Sequence, residues 1–256
     1  MLIDSHVHLD AAEFAADRDA VIARARAAGV RGFVVPAVDR QGFGAVLALA
    51  AARPDVCPAL GIHPMYVMQA GETDLEELDA GLARGGARAV GEIGLDHFVT
   101  DIDPARQLAF FVAQLALARR HDLPVILHVR RAVDPVLKQL RRSGVRGGIA
   151  HAFNGSLQQA QMFIDLGFRL GFGGAMSFEG SSRIRALARA LPLSAIVLET
   201  DAPDMAPAWA RGERNEPASL ARYATLLAEL RGIDREEVVE TTGRNLSDVL
   251  GGWMPG

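Results

Sequence analysis

At 256 residues, half of them hydrophobic, the chain is long enough to bury one large core and too apolar to remain disordered. A formal net charge of −4 excludes a surface that is basic throughout, so any contact with nucleic acid must be local. A lone cysteine, Cys57, excludes an internal disulfide framework, and no apolar run approaches the roughly 20 residues that span a bilayer. The expectation is a cytoplasmic protein with neither an export signal nor a membrane anchor.

Short apolar runs alternate with longer amphipathic ones. In chain order, strands are predicted over 2–8, 32–37, 56–63, 89–95, 124–129, 148–152, 168–173 and 196–200. Helices are predicted over 14–28, 43–52, 74–83, 104–121, 135–143, 157–166 and 182–190, then, past a long loop, over 218–231 and 235–250. Eight β segments, each followed by a helical one, predict parallel strands joined by crossovers, closed as a single-domain α/β fold of the (β/α)8 TIM barrel type; an open doubly wound sheet is the alternative. The strands read as near-continuous apolar runs, as sheets covered on both faces do. Ala28-Gly29 and Leu166-Gly167 read as helix ends. No linker or shift of composition marks a second domain, and the 251–256 tail is expected to fray.

In such a barrel the side chains at the C-terminal strand ends converge, and those ends are polar here. His6 and His8, two apart on a predicted strand, share a face. That pair alone suits a metal ion and hydrogen-bonded surface rings equally well. His63 ends the third strand, Glu92 lies in the fourth, His128 and Arg130 end the fifth, His151 the sixth, and Asp201 follows the eighth. Five of the seven histidines fall at these ends, while His97 and His121 do not. Taken singly, each is more ordinary as a core or rim residue. Together, so many desolvated polar groups are costly without a shared partner, and neutral imidazoles with carboxylates suit zinc, manganese or a similar divalent ion. Arg130, on the same strand face as His128, is placed to grip a phosphate oxygen at two points. His63 reads as a substrate or leaving-group contact or, equally, as a turn histidine bonded to backbone. Asn154, Asn215 and Arg214 are assigned to the mouth of the site, with loop capping as the competing account, and Arg141, Arg142 and Arg146 read as a solvated helix end.

Across nearly the whole chain the motifs ID-S-H-V-H, G-I-H-P, G-E-I-G-L-D, L-P-V-I-L-H-V-R, H-A-F-N-G-S, E-T-D-A-P and R-N-E-P follow one another in the order seen in the TatD family of metal-dependent hydrolases. The chain resembles a less characterised branch of that family. The resemblance implies one or two divalent ions (Zn, Mn, Mg or Ni) with ligands at His6, His8, Glu92, His128, His151 and Asp201. Glu92 would bridge, His6 and His8 would hold one ion with Asp201, and His128 with His151 the other. Ala152 stands where the family usually has cysteine, and His97-Phe98 where it often has an aromatic residue. The implied activity is hydrolysis by metal-activated water, with Asp201 receiving the proton, Glu92 holding the ion pair and His63 meeting the substrate. A phosphodiesterase or deoxyribonuclease of 3'-5' exonuclease type, acting on DNA ends or single strands, is the leading reading. Ester or amide hydrolysis, including removal of an amino acid from tRNA, is the second, and a non-catalytic metal-dependent scaffold the third. Nucleic acid or another phosphodiester is the expected partner, with no membrane and no obligate protein partner.

Overall fold

The computed structural model describes residues 1–256. Its strands are β1 (Leu2–Asp4), β2 (Val30–Pro36), β3 (Val56–Leu60), β4 (Ala89–Asp96), β5 (Val125–Arg130), β6 (Gly148–Ala150), β7 (Phe168–Phe172) and β8 (Ile196–Leu198). They pair in parallel in sequence order, so every connection is a crossover. The crossovers carry α1 (Arg18–Ala27), α2 (Phe43–Ala52), α3 (Glu72–Ala83), α4 (Pro104–Arg120), α5 (Val133–Ser143), α6 (Leu157–Asp165) and α7 (Ser182–Ala190); α8 (Leu220–Arg231) and α9 (Arg235–Val249) follow β8. Between β8 and β1 the sheet is closed by backbone bonds from Ser5 N–H to Leu198 O (2.9 Å), Asp201 N–H to His6 O (2.9 Å) and His8 N–H to Ala202 O (2.8 Å). The result is the expected (β/α)8 barrel rather than an open sheet. No helix is long and apolar enough to cross a membrane.

The main apolar core lies between strands and helices. A second cluster, with Ile3, Val34, Ile126, Ile149 and Val197 among its members, fills the barrel itself, and Leu246 and Leu250 of the C-terminal helical segment seal the end opposite the histidines. The expected fraying of the tail is corrected here. Pro255 is buried and, with Trp253, rests against Gly32, which has no side chain to hold them off.

The predicted strands overrun mainly at the C-terminal end. β1, β3, β6 and β8 stop two to four residues before the expected positions of His8, His63, Ala152 and Thr200, because regular ladder pairing ends there and only single backbone bonds continue. His6 and His8 therefore lie just past β1. Their rings converge through the seam bonds to the segment after β8, in place of the regular strand pleat that the spacing suggested.

Candidate metal centre

At the mouth, the six side chains expected as ligands meet. The two oxygens of Glu92, a residue only 2% exposed, face different partners. Oε2 is 3.1 Å from His6 Nε2 and 3.7 Å from His8 Nε2, whereas Oε1 is 2.9 Å from His128 Nδ1, 3.1 Å from His151 Nε2 and 3.4 Å from His63 Nε2. Asp201 Oδ1 closes the first group at 3.5 Å from His6 Nε2 and 3.6 Å from His8 Nε2. Three overlapping sets have metal-ligand spacing: His6 with Glu92 and His151, His6 with His8 and Asp201, and His63 with Glu92 and His128. His63, set apart from the ligands at the sequence level, thus belongs to the cluster by position.

The donor set fits divalent ions. Bonds of about 2.0–2.1 Å to nitrogen and oxygen put neighbouring ligand atoms roughly 2.9–3.4 Å apart, close to the separations above. The proton inventory agrees. His128 Nε2 donates to Asp96 Oδ2 at 3.1 Å, which leaves its Nδ1 lone pair facing Glu92 Oε1. That Nδ1 also faces His63 Nε2 at 3.0 Å, so the rings and the carboxylate share one point that a cation or the His63 proton can fill.

Charge and burial pull against each other throughout the cluster. Burial raises the pKa of Glu92, but the rings of His6, His63 and His151 overcome it and hold this carboxyl well below the usual range. Burial, aided by His151, lowers His6. Burial also opposes protonation of His8, yet the hydrogen bond and charge of Asp201 outweigh it and lift His8 to about 9.

Local backbone aims these groups. Asp201 has a left-handed conformation (φ 57°), uncommon for a residue with a side chain and typical of functional strain. Asn215, expected at the mouth, is instead buried behind it. Its amide donates to Thr200 O and Asp204 O (both 2.9 Å) and its oxygen accepts from Glu216 N–H, so it shapes the loop that carries Asp201. His63 Nδ1 accepts from Met65 N–H at 3.2 Å, so the backbone-bonded account of this residue holds together with its place at the site.

A cavity of about 490 Å³ opens onto the cluster; its wall includes His63, Tyr66, Met65, Asp10, Glu13 and Asp204. The other expected substrate contacts lie outside that wall. Arg130 turns to Phe98 and Asp96, Asn154 Oδ1 accepts from Arg183 Nε (3.0 Å), and Arg214 binds Asp17 and Glu216. Sequence reasoning passed over Asp96 and Glu199, which stand behind His128 and His151. Glu199 is 2% exposed and its Oε1 lies 3.6 Å from His151 Nδ1 and accepts from Ala152 N–H at 2.5 Å. Its signal was a carboxylate two residues before Asp201 at the end of an apolar strand.

Known proteins give the family. The family model described as TatD related DNase matches residues 3–251. The metal-dependent hydrolase YjjV of Escherichia coli K12 is 42% identical over 246 residues, covering 95% of each chain, and the 3'-5' ssDNA/RNA exonuclease TatD of Edwardsiella piscicida is 34% identical over 252 residues, covering 95% of this chain and 97% of that one. The crystal structure of the E. coli YjjV superposes with a TM-score of 0.94 at 40% identity over 97% of both chains. With its barrel, its converging donors and these relatives, the chain belongs to the TatD family of metal-dependent hydrolases.

Proposed function

We propose that the protein hydrolyses phosphodiester bonds, at the ends of single-stranded nucleic acid, with two divalent ions held by His6, His8, Asp201, Glu92, His128 and His151. The observation that carries this reading is Glu92, whose two oxygens each face a separate set of donors, the arrangement a pair of ions needs. When bound, such ions acidify water and steady charge on the attacking and leaving oxygens. Asp201 Oδ1, at the open edge of the cluster, receives the proton. His63 takes its Nδ1 bond from Met65 N–H, so its proton sits on Nε2, 3.0 Å from His128 Nδ1, and becomes free to donate to a substrate oxygen when His128 serves as a ligand. The similarity to a protein named as an exonuclease of single strands supports this choice of substrate.

One observation favours a second reading, ester hydrolysis on an aminoacyl group. Asp10, Glu13 and Asp204 line the cavity, and a carboxylate wall suits an ammonium group. Reconstitution with manganese, magnesium or zinc, followed by assays on labelled single-stranded DNA, bis(4-nitrophenyl) phosphate and an aminoacyl ester, separates the two. Asp201→Asn is expected to keep at least one ion by metal analysis and to lose turnover by about 10²–10⁴-fold, whereas Glu92→Ala loses bound metal. Full turnover by Asp201→Asn would remove Asp201 from its role, and turnover of the aminoacyl ester alone would replace the first reading by the second.

A further inference from the structure

Phe98 follows β4 and is 44% exposed, an unusual fate for a large ring. Two cations attend it: the guanidinium carbon of Arg130 lies 3.8 Å from the ring centroid and that of Arg131 lies 4.5 Å away. Arg131 reaches this position from a left-handed backbone (φ 53°), which a residue with a side chain adopts at a cost. Two like charges are therefore gathered at one ring. The carboxylate near them, Asp96, is 3.8 Å from Arg130 and is occupied already by His128 Nε2 and by the amides of Phe98 (2.8 Å) and Val99 (3.2 Å). Arg131 makes no ion pair. The group is thus cationic, flat-faced and open, and Asp96 ties it directly to His128.

The opposite side of the mouth has the opposite charge. Asp10 and Glu13 follow β1 and Asp204 follows β8, strands that meet at the seam, whereas β4 and β5 lie across the barrel. The two guanidiniums attract a polyanion toward the β4–β5 side, and the carboxylates repel it at the β8–β1 rim.

We propose that Phe98, Arg130 and Arg131 form a nucleotide subsite beyond the reacting centre, where a base stacks on the ring-and-guanidinium layer and its phosphate is held by the guanidiniums. The subsite makes the enzyme select diesters that carry a nucleotide tail over small diesters. This inference rests on the phosphodiester reading and deepens it.

The test uses the full-length, manganese-loaded protein with Phe98→Ala, Phe98→Trp and Arg131→Gln. The ratio of kcat/KM for a short oligothymidylate to that for bis(4-nitrophenyl) phosphate is expected to fall about tenfold in Phe98→Ala, through KM, and to be retained in Phe98→Trp. Fluorescence anisotropy of the labelled oligothymidylate, read without turnover, is expected to show the same weakening. In Arg131→Gln the slope of log affinity against log salt should shrink by about 0.7. An unchanged ratio and unchanged anisotropy in Phe98→Ala and Arg131→Gln would overturn the subsite, as would equal losses on both substrates. Absence of diester turnover by the wild type, with the anisotropy difference intact, upholds the subsite and overturns the phosphodiesterase reading instead.

Discussion

Asp96 and Glu199 stand directly behind two of the candidate donors. Each is a buried carboxylate beside the far nitrogen of a cluster histidine, at 3.1 Å for His128 and 3.6 Å for His151. Burial pushes Asp96 up, but the hydrogen bond from His128 and the amide donors bring it down to about 2, so it stays charged and keeps the His128 proton on Nε2. Glu199 has room for its carboxylate only because Gly171 has no side chain: a Cβ there would collide with both oxygens. Asp96→Asn preserves the acceptor for the Phe98 and Val99 amides but turns an N–H toward His128. Affinity for the ion at His128 is expected to drop about 10–100-fold with the fold intact, as read by metal titration and circular dichroism; unchanged affinity would mean the ring is aimed by packing alone. The clustering of these six residues was legible in the sequence because all but Glu92, which lies within β4, end or follow an apolar run, whereas their assignment as ligands came from the family resemblance. Their backing carboxylates were not, since the pairing of Asp96 with His128 and Glu199 with His151 exists only once strands are neighbours. Asn154 and Arg214 were misplaced for a related reason: a free-looking polar side chain takes whichever partner the fold brings nearest, here Arg183 and Asp17.

At the scale of elements, α4 holds the mouth in shape. Gln107 and Gln114, two helical turns apart on its buried face, each bond both backbone groups of one residue at a strand end. Gln107 accepts from Asp96 N–H (3.0 Å) and donates to Asp96 O (3.1 Å); Gln114 accepts from Ile62 N–H (2.7 Å) and donates to Ile62 O (3.0 Å). They are needed where the ladder gives out, since β3 and β4 pair only at Ala59 with Ala89 and Leu60 with Val90. A side-chain amide there replaces a missing strand neighbour and positions His63 and Asp96, the residues on which the site depends. Helix α4 was readable from its apolar period, but two buried glutamines within it carried no sign of their partners. Gln114→Leu should leave a buried N–H and C=O unpaired, costing about 2–4 kcal/mol and lowering Tm by roughly 5–15 °C. A thermal melt within a degree of wild type would show that water replaces the amide.

Across the whole molecule, the seam between β8 and β1 decides whether the first two histidines meet Asp201. Beyond the three backbone bonds, Asp4 Oδ1 accepts from Thr200 N–H (2.9 Å) and its Oδ2 pairs with Thr200 Oγ1 (2.5 Å), all buried. On the outside, Arg24 of α1 binds Glu216 and Asp17, while Arg214, beyond β8, binds Asp17 and Glu216, so a four-residue ion network straps the two ends of the barrel together. The hydrogen bond from Arg214 and then that from Arg24 hold Asp17 down at about 2, and Arg24 first, then Arg214, lower Glu216. A carboxylate whose folded pKa is depressed adds stability that is complete above its unfolded pKa, 3.8 for Asp17, and disappears as pH falls through the folded value. Arg214→Ala should therefore lower Tm at neutral pH. Its deficit relative to wild type should shrink as pH falls from about 4 toward 2, and shrink likewise at high salt because the network is exposed. Calorimetric melts of both proteins across that range, at low and high ionic strength, measure the difference directly. A deficit that stays constant through the acid range would mean that Arg214 acts by packing over Phe14, whose ring centroid lies 4.8 Å from its guanidinium, rather than by charge across the seam.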